Sequence, residues 1–303
     1  MPLKEYEDLL GVLPLSTVDY AFAYGSGALQ QKGENKSEKM VDFIISTNDP
    51  VQFHSENLKR NPSHYSLLRC IGANALAKFQ TRLGARVYYN TLVRVGSRRI
   101  KYGVISTNDL NRDLLDWKWL YVSGRLHKPV LDAALLLLPD SFPLEDLYRS
   151  IVGLSYSGDF RMFIGEDKEK VNKIVRGSMQ ELTEVYDPIL SEDPKVVVQN
   201  ENVLQDGSTA AIYHRLNLLP STVLNAIQQN WNKRNKWQKD TEEVLFSLAH
   251  RHDVSSHVSM AISSIVAPVA FSQSVKNAAS AGFSRSLIYG FAKLTKMVKS
   301  IAK

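Results

Sequence analysis

The chain has 303 residues, enough for one large or two moderate domains, and its 44% hydrophobic and 22% charged content is that of a globular protein with a real core. A single cysteine, Cys70, excludes an intrachain disulfide, no apolar run reaches the ~20 residues that span a bilayer, and MPLKEYEDLL reads as neither a signal nor an Arg-rich transit peptide, hence a mature form or one never imported. The net charge of +6 sits at the end: residues 254–303 hold six lysines and arginines and no acid, the remainder sums to zero, and an anionic partner is implied for that tail.

A short helix over residues 5–12 leads into two β-prone runs, 20–24 and 41–45. The first stops at Gly25-Ser26-Gly27, where the backbone can approach a phosphate and Ser26 adds a hydroxyl donor. The second carries Asp42 between Val41 and Phe43, so its carboxylate leaves the sheet on the opposite face. A carboxylate beside a Gly-Ser turn is the arrangement of nucleotidyltransferases, in which the turn holds the triphosphate tail and the acid a divalent metal. The usual pattern has two acids two residues apart. Met40 and Ile44 occupy those positions, so a second carboxylate must come from elsewhere.

Next, Ser55 with Glu56 reads as a helix start, Pro62 as a break, and helical spacing resumes toward Gly84. Strands over 86–95 and 98–106 join at Gly96-Ser97 and, with the first pair, give a small mixed sheet covered by helices. A helix over 108–119 precedes a segment in which Gly124, Arg125, His127 and Lys128 cluster. The leucines at 135–138 read as a buried helix, Ser141 and Glu145 as the cap of another, and 153–171 as a Gly/Ser/acid loop. Helical spacing returns over 172–190, a strand over 196–204 ends before Asp206-Gly207, and helices follow over 221–230 and 241–250. There are no internal repeats.

Asp159 stands out as the second metal carboxylate, because Gly158-Asp159-Phe160-Arg161 lies in a loop; Asp109, Asp113, Asp116, Glu166 and Asp167 are the alternatives, residues that more often serve as N-caps or surface acids. Lys59, Arg60, Lys101, Arg125, Lys128 and Arg161 lie among polar clusters between apolar anchors, as a solvated surface or as contacts to triphosphate and anionic lipid. His250 and His252 form the one close histidine pair and lack a third ligand at zinc spacing. In the tail, Phe283, Leu287, Ile288, Phe291, Leu294, Val298 and Ile301 alternate with Lys293, Lys296, Lys299 and Lys303. That is the spelling of a helix lying on an anionic membrane, the competing reading being a helix packed on the body with its lysines outward.

The segments AFAYGSG, MVDFIISTNDP, FHSENLKRNPSHYS, ARVYYNTLV, IKYGVISTNDLNRDLLDWKWLYVSGRLHKPV, ALLLLPDSF and GLSYSGDFRMFIGEDKEKV together resemble the mitochondrial translocator assembly and maintenance proteins, a family of phosphatidate cytidylyltransferases, over about residues 21–281. The resemblance implies an α+β protein. A nucleotidyltransferase-like mixed sheet with flanking helices would occupy residues 1–118, a helical, winged-helix-like domain 119–255, and a basic, membrane-associating segment 256–303. It implies a Mg2+-dependent enzyme that joins CTP and phosphatidic acid into CDP-diacylglycerol and pyrophosphate, feeding cardiolipin and phosphatidylglycerol synthesis. On that reading Asp42 and Asp159 hold the metal and act with Lys101 in catalysis. Tyr24, Gly25, Ser26, Arg125, Lys128 and Arg161 meet the nucleotide, and His64 and Tyr65 shape its pocket or serve in packing. The location is the matrix side of the mitochondrial inner membrane in a eukaryote, or the cytoplasmic face of the plasma membrane in a bacterium, with no nucleic-acid partner. The chain departs from the family in two places. Val130 runs straight into LDAALLLLP where relatives have a longer connection, and Ala267 and Phe271 stand where arginines are usual. The rival functions are a non-catalytic assembly factor for a membrane translocase and a nucleotidyltransferase acting on RNA or protein.

Overall fold

The computed structural model describes residues 3–24, 40–121, 127–162 and 169–282, and every structural statement here concerns those residues. They form a mixed α+β structure of twelve α-helices and two small sheets, divided into two compact units. The first takes in the chain up to Asn111 and again from Ala270; the second comprises Arg112–Ile164 and Lys168–Val269.

In the first unit, helix α1 (Leu3–Leu10) precedes strands β1 (Tyr20–Tyr24) and β2 (Val41–Thr47). Helices α2 (Pro50–Arg60) and α3 (Gly72–Arg82) follow, then strands β3 (Tyr88–Val95) and β4 (Arg98–Ser106). The sheet order is β1-β2-β4-β3, with β2 and β4 parallel and the outer pairs antiparallel. Alternation decides the faces. Val41, Phe43 and Ile45 of β2 and Ile100, Tyr102 and Val104 of β4 are buried in one core with Leu9, Leu13 and Phe53. Asp42, Lys101 and Gly103 therefore share the opposite face. Helix α2 starts six residues earlier than Ser55 implied: Asp49 is its cap, accepting from the Val51 and Gln52 amides at 2.9 Å, and Pro50 fills the first helical position.

Beneath α2 and α3 lies a layer of buried polar groups. His54 bonds the Tyr65 hydroxyl and the Gln80 side-chain oxygen, both at 2.9 Å, and Asn57 donates to Tyr65 and Tyr102 at 3.0 and 2.8 Å. His64 meets the Tyr102 hydroxyl of β4 at 2.9 Å, tying its turn to the sheet, while Tyr65 bonds α2 through His54 and Asn57. Burial drives the His54 imidazole down to about 4, outweighing its bond to Gln80.

The second unit is mainly helical. It contains α4 (Thr107–Asp116) from Arg112 on, α5 (His127–Leu136), α6 (Leu144–Gly153), α7 (Lys170–Gly177), α8 (Met179–Glu192), α9 (Thr209–Asn217), α10 (Ser221–Arg234), α11 (Thr241–Ala249) and the start of α12 (Val254–Ala281). A three-stranded antiparallel sheet joins them: β5 (Ser141–Pro143), β6 (Val196–Gln199) and β7 (Asn202–Gln205), in the order β5-β7-β6. Three local expectations change here. Ser141 belongs to a strand, and α6 starts behind Pro143 with no side-chain cap. The helical stretch at 172–190 is two helices, broken at Ser178. The strand at 196–204 is a hairpin turning at Asn200 and Glu201, both with positive φ (49° and 62°).

Helix α12 is long and apolar enough to cross a membrane by length and composition, in contrast to the sequence expectation that no segment is. Its buried residues instead serve the two cores. Val258, Ala261, Ile262, Ile265 and Val266 pack into the second unit, while Gln273 and Lys276 are buried in the first. The Ala85 amide donates to the Gln273 side-chain oxygen at 2.8 Å, and Gln273 Nε2 donates to the Val87 carbonyl at 3.0 Å. Gly84, at φ +57°, makes room for this: a Cβ there would sit 2.9 Å from the Gln273 Cα.

Candidate functional site

Three of the residues singled out from the sequence lie side by side. Asp42 on β2 is the register partner of Tyr24 on β1 and of Lys101 on β4, so the three form a row across the sheet. Facing residues in adjacent strands stand about 5 Å apart at Cβ, within reach of one another's side chains. A fourth residue, which the sequence reading passed over, joins them. The Tyr89 hydroxyl lies 3.2 Å from that of Tyr24, and the Tyr89 ring lies under the Lys101 ammonium at 4.4 Å. Tyr89 reaches this place by crossing Gly103, where a Cβ would come within 2.6 Å of its ring. The spelling Lys-Tyr-Gly carried that signal, since an isolated glycine inside a strand marks close approach of another group. The row thus offers a carboxylate and an ammonium in neighbouring strands with two phenols alongside. Gly25 and Ser26 lie outside the described residues.

In the second unit the Gly158-Asp159 loop is held against α12. Ser157 and Ser263 hydroxyls meet at 3.2 Å, and Gly158 adopts φ +77°, with Ser263 where its Cβ would be. Asp159 is 1% exposed and meets Arg161 in a fork: Nε lies 3.0 and 2.9 Å from Oδ1 and Oδ2, Nη2 lies 2.6 Å from Oδ2, and the Arg161 amide donates to Oδ1 at 2.9 Å. Both carboxylate oxygens accept from Arg161, so a cation at Asp159 would share or replace those bonds.

Lys128, 47% exposed, pairs with Asp132 at 3.0 Å and with Asp193 at 3.7 Å. Arg215, 3% exposed, completes the group at 2.9 Å from Asp193 and 3.5 Å from Asp132. Burial pushes the Asp132 carboxyl up despite Lys128 and Arg215. Burial also opposes ionisation of Asp193, but the Arg215 hydrogen bond and the nearby cations bring it below the usual range. Arg125 lies outside the described residues.

The remaining described acids from the sequence reading each accept hydrogen bonds within their own unit. Asp109 accepts from the Ser106 hydroxyl at 2.8 Å, Asp113 from the Trp119 and Tyr121 amides at 2.8 and 3.1 Å, and Asp116 from the Ser221 hydroxyl at 3.3 Å. Glu166 and Asp167 lie outside the described residues. Among the described residues no three His, Cys, Asp or Glu side chains converge on a point where a metal could sit. A single carboxylate such as that of Asp42 is a donor set of the kind that can hold Mg2+, which keeps several waters and is commonly bound by one or two carboxylates together with substrate phosphates.

A family model described as "Phosphatidate cytidylyltransferase, mitochondrial" matches residues 6–132 and 131–296. Proteins of that name include one from Caenorhabditis briggsae, 57% identical over 320 positions covering 98% of this chain and all of the relative. One from Caenorhabditis elegans is 55% identical over 320 positions with the same coverage, and one from Bos taurus is 42% identical over 305 positions, covering 92% of this chain and 90% of the relative. The 320 aligned positions exceed the 303 residues of the chain, so these nematode relatives carry residues without a counterpart here. The family match divides beside Val130-Leu131, within the unbroken helix α5. By sequence, over nearly its full length, this chain belongs to the mitochondrial phosphatidate cytidylyltransferase family.

Proposed function

We propose that the protein transfers the cytidylyl group of CTP to phosphatidic acid, giving CDP-diacylglycerol and pyrophosphate. Membership of the family carries this reading, and the Tyr24–Asp42–Lys101 row supports it. An oxygen of the phosphatidate phosphate bonds to the α-phosphorus of CTP as the bond from that phosphorus to the β-phosphate's bridging oxygen breaks. The attacking phosphate is already anionic near neutral pH, so no side chain need remove a proton. What remains is positioning and charge neutralisation. Lys101 supplies a fixed positive charge, Tyr24 and Tyr89 border it, and Gly25 and Ser26 receive the triphosphate. Arg125, Lys128 and Arg161 contribute cationic contacts, the last two by reorganising ion pairs they now make. Asp42 and Asp159 would hold Mg2+, which when bound offsets negative charge on the phosphates.

On this reading the β1–β4 sheet is a nucleotidyltransferase-like core. The second unit, with helices around a small sheet that ends in the β6–β7 hairpin, is winged-helix-like. The basic end of the chain lies on an anionic membrane. The relatives are animal proteins named mitochondrial, which favours the matrix side of the inner membrane over a bacterial plasma membrane. Incubation of the purified protein with labelled CTP, phosphatidic acid and Mg2+ tests the proposal through the appearance of labelled CDP-diacylglycerol. No lipid product would favour an assembly factor, and label appearing on RNA or protein instead would favour the other nucleotidyltransferase reading.

A further inference from the structure

The single turn at Leu67–Ile71 sits poorly with an aqueous surface. Leu67 is 83% exposed, the most exposed large apolar residue among those described, and Ile71 is 47% exposed. Arg69 and Cys70 between them are also exposed, and on the helix that follows, Asn74, Lys78 and Arg82 recur at four-residue spacing on the solvent side. No acid occurs anywhere from Asn57 to Asn108, a stretch that holds ten lysines and arginines. The ridge is therefore two aliphatic side chains among cations, with no carboxylate from its own segment nearby. It is also next to the start of the basic tail: a Cβ on Gly282 would lie 3.2 Å from the Ser66 Cβ, so the chain leaves α12 against the residue that opens the ridge. The same helix pair exposes Leu83 and Val275.

We propose that the Leu67–Ile71 ridge inserts into an anionic phospholipid bilayer, making a second membrane contact beside the tail. Aliphatic tips enter the acyl boundary while Arg69, Lys78 and Arg82 meet lipid phosphates, the combination by which peripheral proteins hold anionic surfaces. The occupant follows from charge and continuity: the rim is cationic and acid-free, and the stretch of chain that begins beside it, after Gly282, carries five further positive charges and no acid. The inference rests on the proposed lipid substrate, which would keep this face at a bilayer.

Cys70 lies within the ridge and is the single cysteine of the chain, so the whole protein can be labelled there with an environment-sensitive nitrobenzoxadiazole dye. With phosphatidylcholine vesicles containing phosphatidylglycerol, the dye is expected to brighten and shift to the blue. With phosphatidylcholine alone it stays aqueous. Leu67→Glu with Ile71→Glu should weaken co-sedimentation with the anionic vesicles about tenfold, the loss of part of two aliphatic burials, while turnover of detergent-dispersed phosphatidic acid is unchanged. A dye that stays aqueous on vesicle-bound protein would overturn the proposal, as would a shift that grows with protein concentration without vesicles, the mark of a second copy. Phosphatidylglycerol is not the proposed substrate. A protein that inserts the ridge yet makes no CDP-diacylglycerol would refute the enzymatic reading and leave this one standing.

Discussion

Lys276 of α12 places its ammonium nitrogen 2.7 Å from the Gln80 carbonyl oxygen, 196 residues earlier, and 2.9 Å from that of Leu83. The last turn of α3 thus receives a cation at the end where carbonyls lack intrahelical partners and the helix dipole is negative. Burial, with the like charge of Arg86, pushes this ammonium down to about 7 against the pull of Asp109.

That depression fixes a direction with pH. An unfolded chain holds the lysine proton up to about 10.5, whereas the native state releases it near 7, so the unfolded state binds more protons in between. The Lys276 contribution to stability should rise from pH 7 toward pH 10.5. Urea unfolding of the native protein and of Lys276→Met across that range checks it, the variant being expected to lose this part of the slope.

His54 adds a second window of the same sign at acid pH. Its native imidazole stays neutral down to about 4, while the unfolded one protonates near 6.5. Stability should fall as pH drops from 6.5 to 4, by about 3 kcal/mol at most. His54→Gln should flatten that part of the curve, whatever its effect on stability at pH 7. Tyr65, Gln80 and Lys276 are the polar neighbours that set this response.

The strand row predicts losses of activity rather than of fold. Asp42→Ala and Lys101→Met remove half-buried charges from one sheet face, and each should lower CDP-diacylglycerol formation by about a hundredfold or more. Steady-state rates together with circular dichroism check this, and a Mg2+-dependent Asp42→Ala enzyme at near-native rate would remove the assignment.

Arg161 and Asp159 separate structure from chemistry. Arg161→Ala strands a buried carboxylate and should cost about 3–5 kcal/mol. Asp159→Asn keeps the shape, so a metal role would show as a raised Mg2+ requirement with little change in melting temperature. An unchanged Mg2+ requirement would confine Asp159 to holding Arg161.

Gly103→Ala tests the route by which Tyr89 reaches Lys101. The added methyl would lie 2.6 Å from both the Tyr89 ring and Val87. Overpacking of this kind costs about 1–3 kcal/mol. Activity should fall further than stability alone explains, as read by rates measured well below the melting temperature.

Much of the first unit was legible because its strands are spelled by alternation: β1 and β4 have the bounds the sequence implied, and Asp42 faces away from Val41 and Phe43 as period two requires. The start of α2 was legible but overlooked, since Asp49-Pro50 is a stronger cap than Ser55. The β6–β7 turn was not, because Asn200-Glu201 puts a glutamate where a positive φ usually selects glycine. Charge misled by summation: zero net charge over residues 1–253 conceals the acid-free stretch from Asn57 to Asn108. The Tyr89 contact and the Lys276 cap depend on tertiary approach, which spacing along the chain does not encode.

Gln273 and Lys276 make the first unit discontinuous in sequence. A polypeptide ending at Asn111 would possess every strand of the mixed sheet and still lack the groups that complete the Ala85 amide and the Gln80, Leu83 and Val87 carbonyls. The half of the protein bearing Asp42 and Lys101 is thus finished only when the ribosome has made residues beyond 270, which ties its maturation to the synthesis of almost the entire chain.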